Sequence, residues 1–188
     1  MTILCKHSMN NDINWKSMPR VLLKNVITGT LPRLKTVVKT AWNKDYLFFQ
    51  FICEDKNIVS NFTDFNDPLF SEDVLEIFIM DDPEKNCYME FNVSPKNVHL
   101  HYLIMNGKKY ARLSDVIEGT VKRTIEGYIA EIKIPASEFS NSPSFDKKWK
   151  VNFFRIDRGE ADEYTAASET GEINFHNPDK FVDLVFCE

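Results

Sequence analysis

Basic charge is scarce in this sequence. Its 23 Lys and Arg are outnumbered by 28 Asp and Glu, for a formal charge of −5. Binding to a phosphate backbone needs clustered Lys and Arg. Only isolated pairs such as Lys108-Lys109 and Lys147-Lys148 occur, so nucleic acid is not an expected partner. Cysteine is also sparse: Cys5, Cys53, Cys87 and Cys187 lie far apart, with no C-x-x-C pair. Structural zinc is thereby disfavoured, no disulfide is demanded, and Cys53, inside an apolar run, reads as a buried free thiol. With 6 Gly and 8 Pro in 188 residues, neither disorder nor low complexity fits. No apolar run approaches the roughly 20 residues of a transmembrane helix, so no membrane span is expected. Residues Met1 to Trp15 lack the basic start and apolar stretch of a signal peptide. Two locations stay open: cytoplasmic, or extracellular or cell-surface after removal of a leader.

What is present is apolar material in a two-residue rhythm. The apolar fraction is 43% and the aromatic fraction 13%, led by 15 Phe, enough for a substantial core. Alternation predicts strands over Thr36–Trp42, Tyr46–Asp55, Asp73–Met80, Tyr88–Ser94, Val98–Met105, Gly119–Thr124, Tyr128–Ile134, Trp149–Asp157 and Phe181–Phe186. Turn residues separate them, as in Asn43-Lys44-Asp45, Asp81-Asp82-Pro83, Asn106-Gly107 and Glu126-Gly127. Short helical turns are expected at Asn57–Phe62 and Ala136–Phe139. This pattern implies an all-β, antiparallel β-sandwich. With no repeat or linker, residues 1–188 read as one domain, residues 1–35 being an N-terminal extension or a first strand.

The strand faces carry the functional signal. In Asp73–Met80, Glu76 lies between Val74 and Phe78 on one face, opposite Leu75, Ile77 and Ile79. In Tyr88–Ser94, Tyr88, Glu90 and Asn92 oppose Met89, Phe91 and Val93. In Tyr46–Asp55, Tyr46, Phe48, Gln50 and Ile52 oppose Leu47, Phe49, Phe51 and Cys53. Faces that mix rings with Glu, Gln and Asn suit sugars, whose hydroxyls want planar polar partners and whose C–H faces want rings. An ordinary solvated sheet face shows the same alternation and is the commoner case.

Other constellations are weaker. Glu76 and Glu90 lie on neighbouring strands, as a glycosidase pair would, but nothing in the sequence sets their separation. His99 and His101 share a strand face without an apparent third metal ligand, and a solvated face is expected there. The acidic segments Glu72-Asp73, Asp81-Asp82 and Asp157 to Glu163 offer oxygen ligands of the kind calcium takes. His176 is expected to hydrogen-bond within its own turn. Phosphate-binding loops, nucleophile elbows and Cys-His pairs are missing, and no organic cofactor is expected.

From about residue 36 to the C-terminus, an ordered set of segments resembles the family 9 carbohydrate-binding modules of the wider DOMON-like group of β-sandwiches. They are Thr40–Leu47, Ser71–Ile79, Tyr88–Phe91, Gly127–Pro135, Trp149–Arg155 and Asn174–Phe181. The resemblance implies a jelly-roll-like sandwich with structural calcium and a slot that clamps a sugar between two aromatic rings. It implies an oligo- or polysaccharide partner, with xylan prominent because such modules are generally appended to xylanases. By position, Phe70 matches a clamp ring and Glu76 the hydroxyl-accepting acid. Asn92 stands where the family carries an Arg, and Arg155 lies on a strand expected to line the same face. Ala167, in Thr165–Thr170, stands where a second clamp Trp is expected, and Val182 replaces a usual Gly. The expected function is therefore non-catalytic carbohydrate binding through Phe70, Glu76, Asn92 and Arg155. The rivals are a structural or protein-interaction sandwich that has lost the sugar site, and a haem-binding DOMON-type module using Met80, Met105 or His176.

Overall fold

The computed structural model describes residues 1–188 and is all-β, with five single-turn 3₁₀ segments as its only helical elements. The strands are β1 (Thr2–His7), β2 (Arg20–Leu22), β3 (Lys24–Asn25), β4 (Thr36–Trp42), β5 (Tyr46–Glu54), β6 (Val74–Met80) and β7 (Cys87–Val93). They continue with β8 (His99–Met105), β9 (Lys108–Ala111), β10 (Glu118–Arg123), β11 (Gly127–Pro135), β12 (Lys148–Asp157), β13 (Glu163–Ala166) and β14 (Val182–Cys187). Hydrogen bonding runs without a break in the order β10-β11-β5-β4-β1-β14-β12-β6-β7-β8-β9, so one sheet curls into two facing layers.

The nine expected strands form within two residues of their expected limits. Residues 1–35 are structural: β1 is a central strand, parallel to both β14 and β4, which joins the two layers. Every other pairing is antiparallel, as expected of an antiparallel β-sandwich. The expected turn at Ala136–Phe139 appears as 3₁₀ over Ala136–Glu138. Asn57–Phe62 is not helical. Its backbone is held open by side chains, because Val59 N–H donates to Asp73 and Asn61 N–H to Glu72.

Between the layers, Phe49, Phe51 and Cys53 of β5 and Tyr128, Ala130 and Ile132 of β11 meet Leu75, Ile77, Phe91, Trp149 and Phe153 from the other side. Phe153 is fully buried edge-on to Phe49 and Phe51, with ring centroids 5.7 and 6.0 Å away. Ala167 belongs to this interior as well: it is buried, and its N–H donates to the Phe153 carbonyl. It is therefore not a position in an open slot. A second apolar cluster covers the outer face of the β6–β7–β8–β12 layer, where Val74, Phe78, Tyr88, Leu100 and Phe154 lie beneath Val26, Leu69, Phe175 and Phe181. The expected solvated face is thus largely roofed. His99 and His101 are buried too, His99 against Asp115 and His101 stacked on Phe91 at 4.4 Å.

Two substitutions test this packing. Phe153→Ala empties a ring-sized site between the layers and is expected to cost about 3–5 kcal/mol, read as a lowered denaturant midpoint at unchanged slope. Ala167→Trp overpacks the same interior and is expected to lower the melting temperature, at a cost of about 1–3 kcal/mol or more. An undiminished melting temperature for that variant would place residue 167 outside the core.

Candidate functional site

The outer roof leaves one opening over buried carboxylates, a cavity of about 330 Å³ lined by Phe70, Glu76, Glu90, Lys109, Ile156, Arg158, Tyr164 and the loop Ile173–His176. Its floor follows from strand alternation. Glu76 on β6 and Glu90 on β7 point to the same outer face as Val74, Phe78 and Tyr88. Glu76 is 3% exposed and Glu90 1%.

Each wall has a local cause. Leu69, buried in the outer cluster, anchors the 3₁₀ turn Leu69–Ser71, which leaves the Phe70 ring 41% exposed at the rim. Arg158 braces that turn, donating to the Phe70 carbonyl at 3.0 Å while also binding Asp162 and the Tyr164 hydroxyl. On the far side Phe175 stacks face to face on Phe154, with centroids 4.2 Å apart, and so pins the loop that carries Ile173 and His176. His176 packs on Phe78, and its Nδ1 shares a 2.8 Å hydrogen bond with the Tyr88 hydroxyl. Lys109 arrives on β9 through the two-residue turn Asn106-Gly107, whose φ values of 50° and 74° suit a tight hairpin.

Electrostatically the floor is under-satisfied. Glu90 Oε1 accepts from Asn92 Nδ2 at 3.0 Å. Glu90 Oε2 faces Lys109 Nζ at an ion-pairing distance of 3.4 Å, and His176 Nε2 lies 3.6 Å away. Glu76 accepts no hydrogen bond from the protein. Burial raises its pKa well above the ordinary glutamate range, the Glu90 charge adds to this, and Lys109 only partly opposes it. Burial also raises Glu90, against Lys109 and Asn92. Burial, then the nearby Lys109 charge, lowers His176 to about 4, so it is neutral at pH 7.

Of the four residues expected at the site, Phe70 and Glu76 meet in this cavity. Asn92 lies fully buried beneath it and acts on Glu90 rather than on the opening. Arg155 is not brought there. It pairs in register with Leu75, so it points into the sandwich interior. Its guanidinium binds Asp55 at 2.9 Å, Asp157, the Glu54 carbonyl and the Thr36 hydroxyl. His176 does hydrogen-bond within its own turn, its N–H donating to Asn174 Oδ1 at 3.1 Å, and its ring also lines the cavity.

The interior charges form a second cluster. Asp55, Asp73 and Asp157 are buried, with one carboxylate oxygen from each within 4.8 Å of the others. Arg155 is the guanidinium bound among them. Burial raises Asp55, and it raises Asp73 to about 6, with the other two aspartates reinforcing the shift and backbone N–H donors opposing it. Arg33, half-exposed, also reaches Asp157 at 3.9 Å, but only Arg155 is buried with the three carboxylates, which leaves them short of positive charge where charge is costly to bury. An all-oxygen donor set of this kind fits a hard divalent cation. Asp81 is not part of it and accepts from Asn141 N–H instead. A wider groove of about 510 Å³ lies on the opposite layer beside Trp15 and Phe48. Of its charged groups, Glu131 is already paired with Gln50 and Lys133 with Glu118.

Solved structures with this architecture include a putative carbohydrate-binding protein from Bacteroides uniformis, at a TM-score of 0.85 and 13% identity over 98% of both chains. They also include a family 9 carbohydrate-binding module from Caldicellulosiruptor kristjanssonii, solved with cellotriose (TM-score 0.70, 16% identity, 100% of this chain and 94% of that one) and with glucose (TM-score 0.69, 15% identity, 99% and 95%). At such identities these likenesses speak for the fold. Among curated sequences, an "Extracellular protein" of Arthroderma benhamiae is 26% identical over 142 residues, covering 66% of this chain. The match spans 64% of that relative's length. The model of the carbohydrate family 9 binding domain-like family matches residues 9–187, and the chain belongs to that family.

Proposed function

We propose that this chain is a non-catalytic carbohydrate-binding module whose ligand sits in the cavity between Phe70 and Glu76. The observation that carries this reading is the Glu76 carboxyl group. It is almost wholly buried, faces a cavity and has no protein donor, beside a ring held half-exposed at the rim. Beside it, Glu90 Oε2 is a buried acceptor without a hydrogen-bond partner, a state that costs about 1–3 kcal/mol and that ligand donors at this floor can relieve. A sugar supplies such donors on its edge and a C–H surface for Phe70 on its face. The family supports the carbohydrate class, and the relatives solved with cellotriose and glucose suggest β-linked glucans as first probes, with xylan beside them. The relative named as extracellular suggests the same location for this protein.

A single exposed ring and a few polar contacts must offset the immobilisation of the ligand, so affinity is expected to be weak. Calorimetry with cellobiose, cellotriose and xylobiose should give a dissociation constant near or above about 1 mM, or roughly −4 kcal/mol. Glu76→Ala should abolish the signal while leaving the melting temperature equal or higher, because a buried, unpaired acid is removed. Unchanged binding by that variant would move the site elsewhere. A folded wild-type protein that binds no sugar would favour an interaction domain.

A structural calcium ion at Asp55, Asp73 and Asp157 is part of the same proposal. A divalent charge would make that cluster neutral with Arg155 present. Millimolar calcium is expected to raise the melting temperature, a chelator to reverse the rise, and Asp73→Asn to abolish the response. A wild-type melting temperature indifferent to calcium would leave Arg155, with Arg33 at the edge of Asp157, as the cluster's cations.

A further inference from the structure

The carboxyl oxygens facing the Phe70–Glu76 cavity lack donors. Two buried carboxyl groups, Glu76 and Glu90, form its floor, and the cations around it are committed or loosely held. Arg158 is occupied by Asp162, the Tyr164 hydroxyl and the Phe70 carbonyl. His176 holds Tyr88 with Nδ1, and its burial next to Lys109 keeps it uncharged at neutral pH. Lys109 alone approaches the floor, from an edge strand with its side chain 41% exposed, and it reaches only Glu90, at 3.4 Å. Glu76 receives no donor at all.

We propose that the preferred ligand of this cavity is a cationic amino sugar, a hexosamine with a free ammonium group, alone or within an oligosaccharide. The inference rests on the carbohydrate-binding reading of the same site and narrows its ligand. An ammonium brings three N–H donors and one positive charge. That is what two buried carboxyl groups with a single mobile counter-ion lack, and hydrogen bonds between charged partners are roughly twice as strong as neutral ones. The rim already accommodates a cation over aromatic rings, since Lys109 Nζ lies 5.9 Å from the Phe70 centroid and 5.2 Å from that of Tyr102. A ligand ammonium can take a similar place between the Phe70 face and the carboxyl floor. A uronic acid would bring a carboxylate up against two buried carboxyl groups that already repel one another, so the same floor that attracts a hexosamine rejects it.

The test is a calorimetric titration of the whole chain at about pH 6.5, where an amine of ordinary basicity is protonated. Glucosamine, N-acetylglucosamine, glucose and glucuronate are compared at matched salt. Glucosamine is expected to bind at least about tenfold more tightly than glucose or N-acetylglucosamine, with glucuronate the weakest. Glu90→Gln should reduce glucosamine affinity more than glucose affinity. Lys109→Met, at an exposed edge position, should widen the glucosamine preference by removing the competing cation. Equal affinity for glucosamine and glucose, tighter binding of glucuronate, or a preference narrowed by Lys109→Met would overturn the amino-sugar inference while leaving a neutral-sugar module. Failure of every sugar to bind would overturn the carbohydrate reading itself.

Discussion

Burying one layer on both of its faces is the constraint on which the rest of this structure depends. A sandwich needs only its inner faces covered, and an antiparallel sheet ordinarily leaves the other face to water. Here β6, β7, β8 and β12 carry a second apolar set outward, Phe78, Tyr88, Leu100 and Phe154 among it. That surface must be roofed. The roof comes from segments remote in sequence: Val26 after β3, Leu69 before β6, and Phe175 and Phe181 before β14. The gap between those segments is the cavity, so the site is a by-product of how the outer core is closed. Its walls stay in place because Phe175 on Phe154 and Leu69 beneath Phe70 are core contacts.

The same strands keep two charge systems apart by alternation. Phe154 and Arg155 are adjacent on β12, yet Phe154 packs in the outer cluster and Arg155 lies inside with Asp55 and Asp157. Glu76, opposite Phe154 in register, therefore faces outward with Glu90, and Arg155 cannot neutralise it. The inner carboxylates have an internal guanidinium and backbone N–H donors, which suits a permanent structural role. The outer pair has an exposed lysine and an opening, which suits an exchangeable partner.

Much of this was legible in the sequence, for a physical reason. Strands with one strictly apolar face, such as β5 and β6, announce themselves by alternation. Strands that are short, exposed or at an edge do not: β9 is exposed throughout, and β2 and β3 are three and two residues long. Asn106-Gly107 was nonetheless a direct signal for the β8–β9 hairpin, and following it would have brought Lys109 toward the site. Phe70 and Glu76 could be placed because the acid interrupts an apolar face. Arg155 was misplaced because its parity along β12, judged against Val151 and Phe153, was not used; it shares their inward face. Ala167 was misplaced because a four-residue strand, β13, carries the chain inward just before it. His176, Tyr164 and Ile173 meet only through long-range closure of the roof, which no local pattern encodes.

With one exposed ring and no residue at 167 to face it, the cavity cannot rely on stacking for its selectivity. Ring contact is also tolerant, since many sugars present a C–H face. Discrimination must then come from the floor, where each polar atom has a fixed position and a shortage of partners. Asn92 holds Glu90 from below, and Glu76 is buried up to the oxygens that face the cavity, so both carboxyl groups are fixed in place. A ligand that matches them recovers a desolvation cost already incurred in folding, and one that does not leaves that cost in place. On the proposed reading of this site, selectivity therefore depends on the donors and charge a sugar presents to two acids more than on the area it covers.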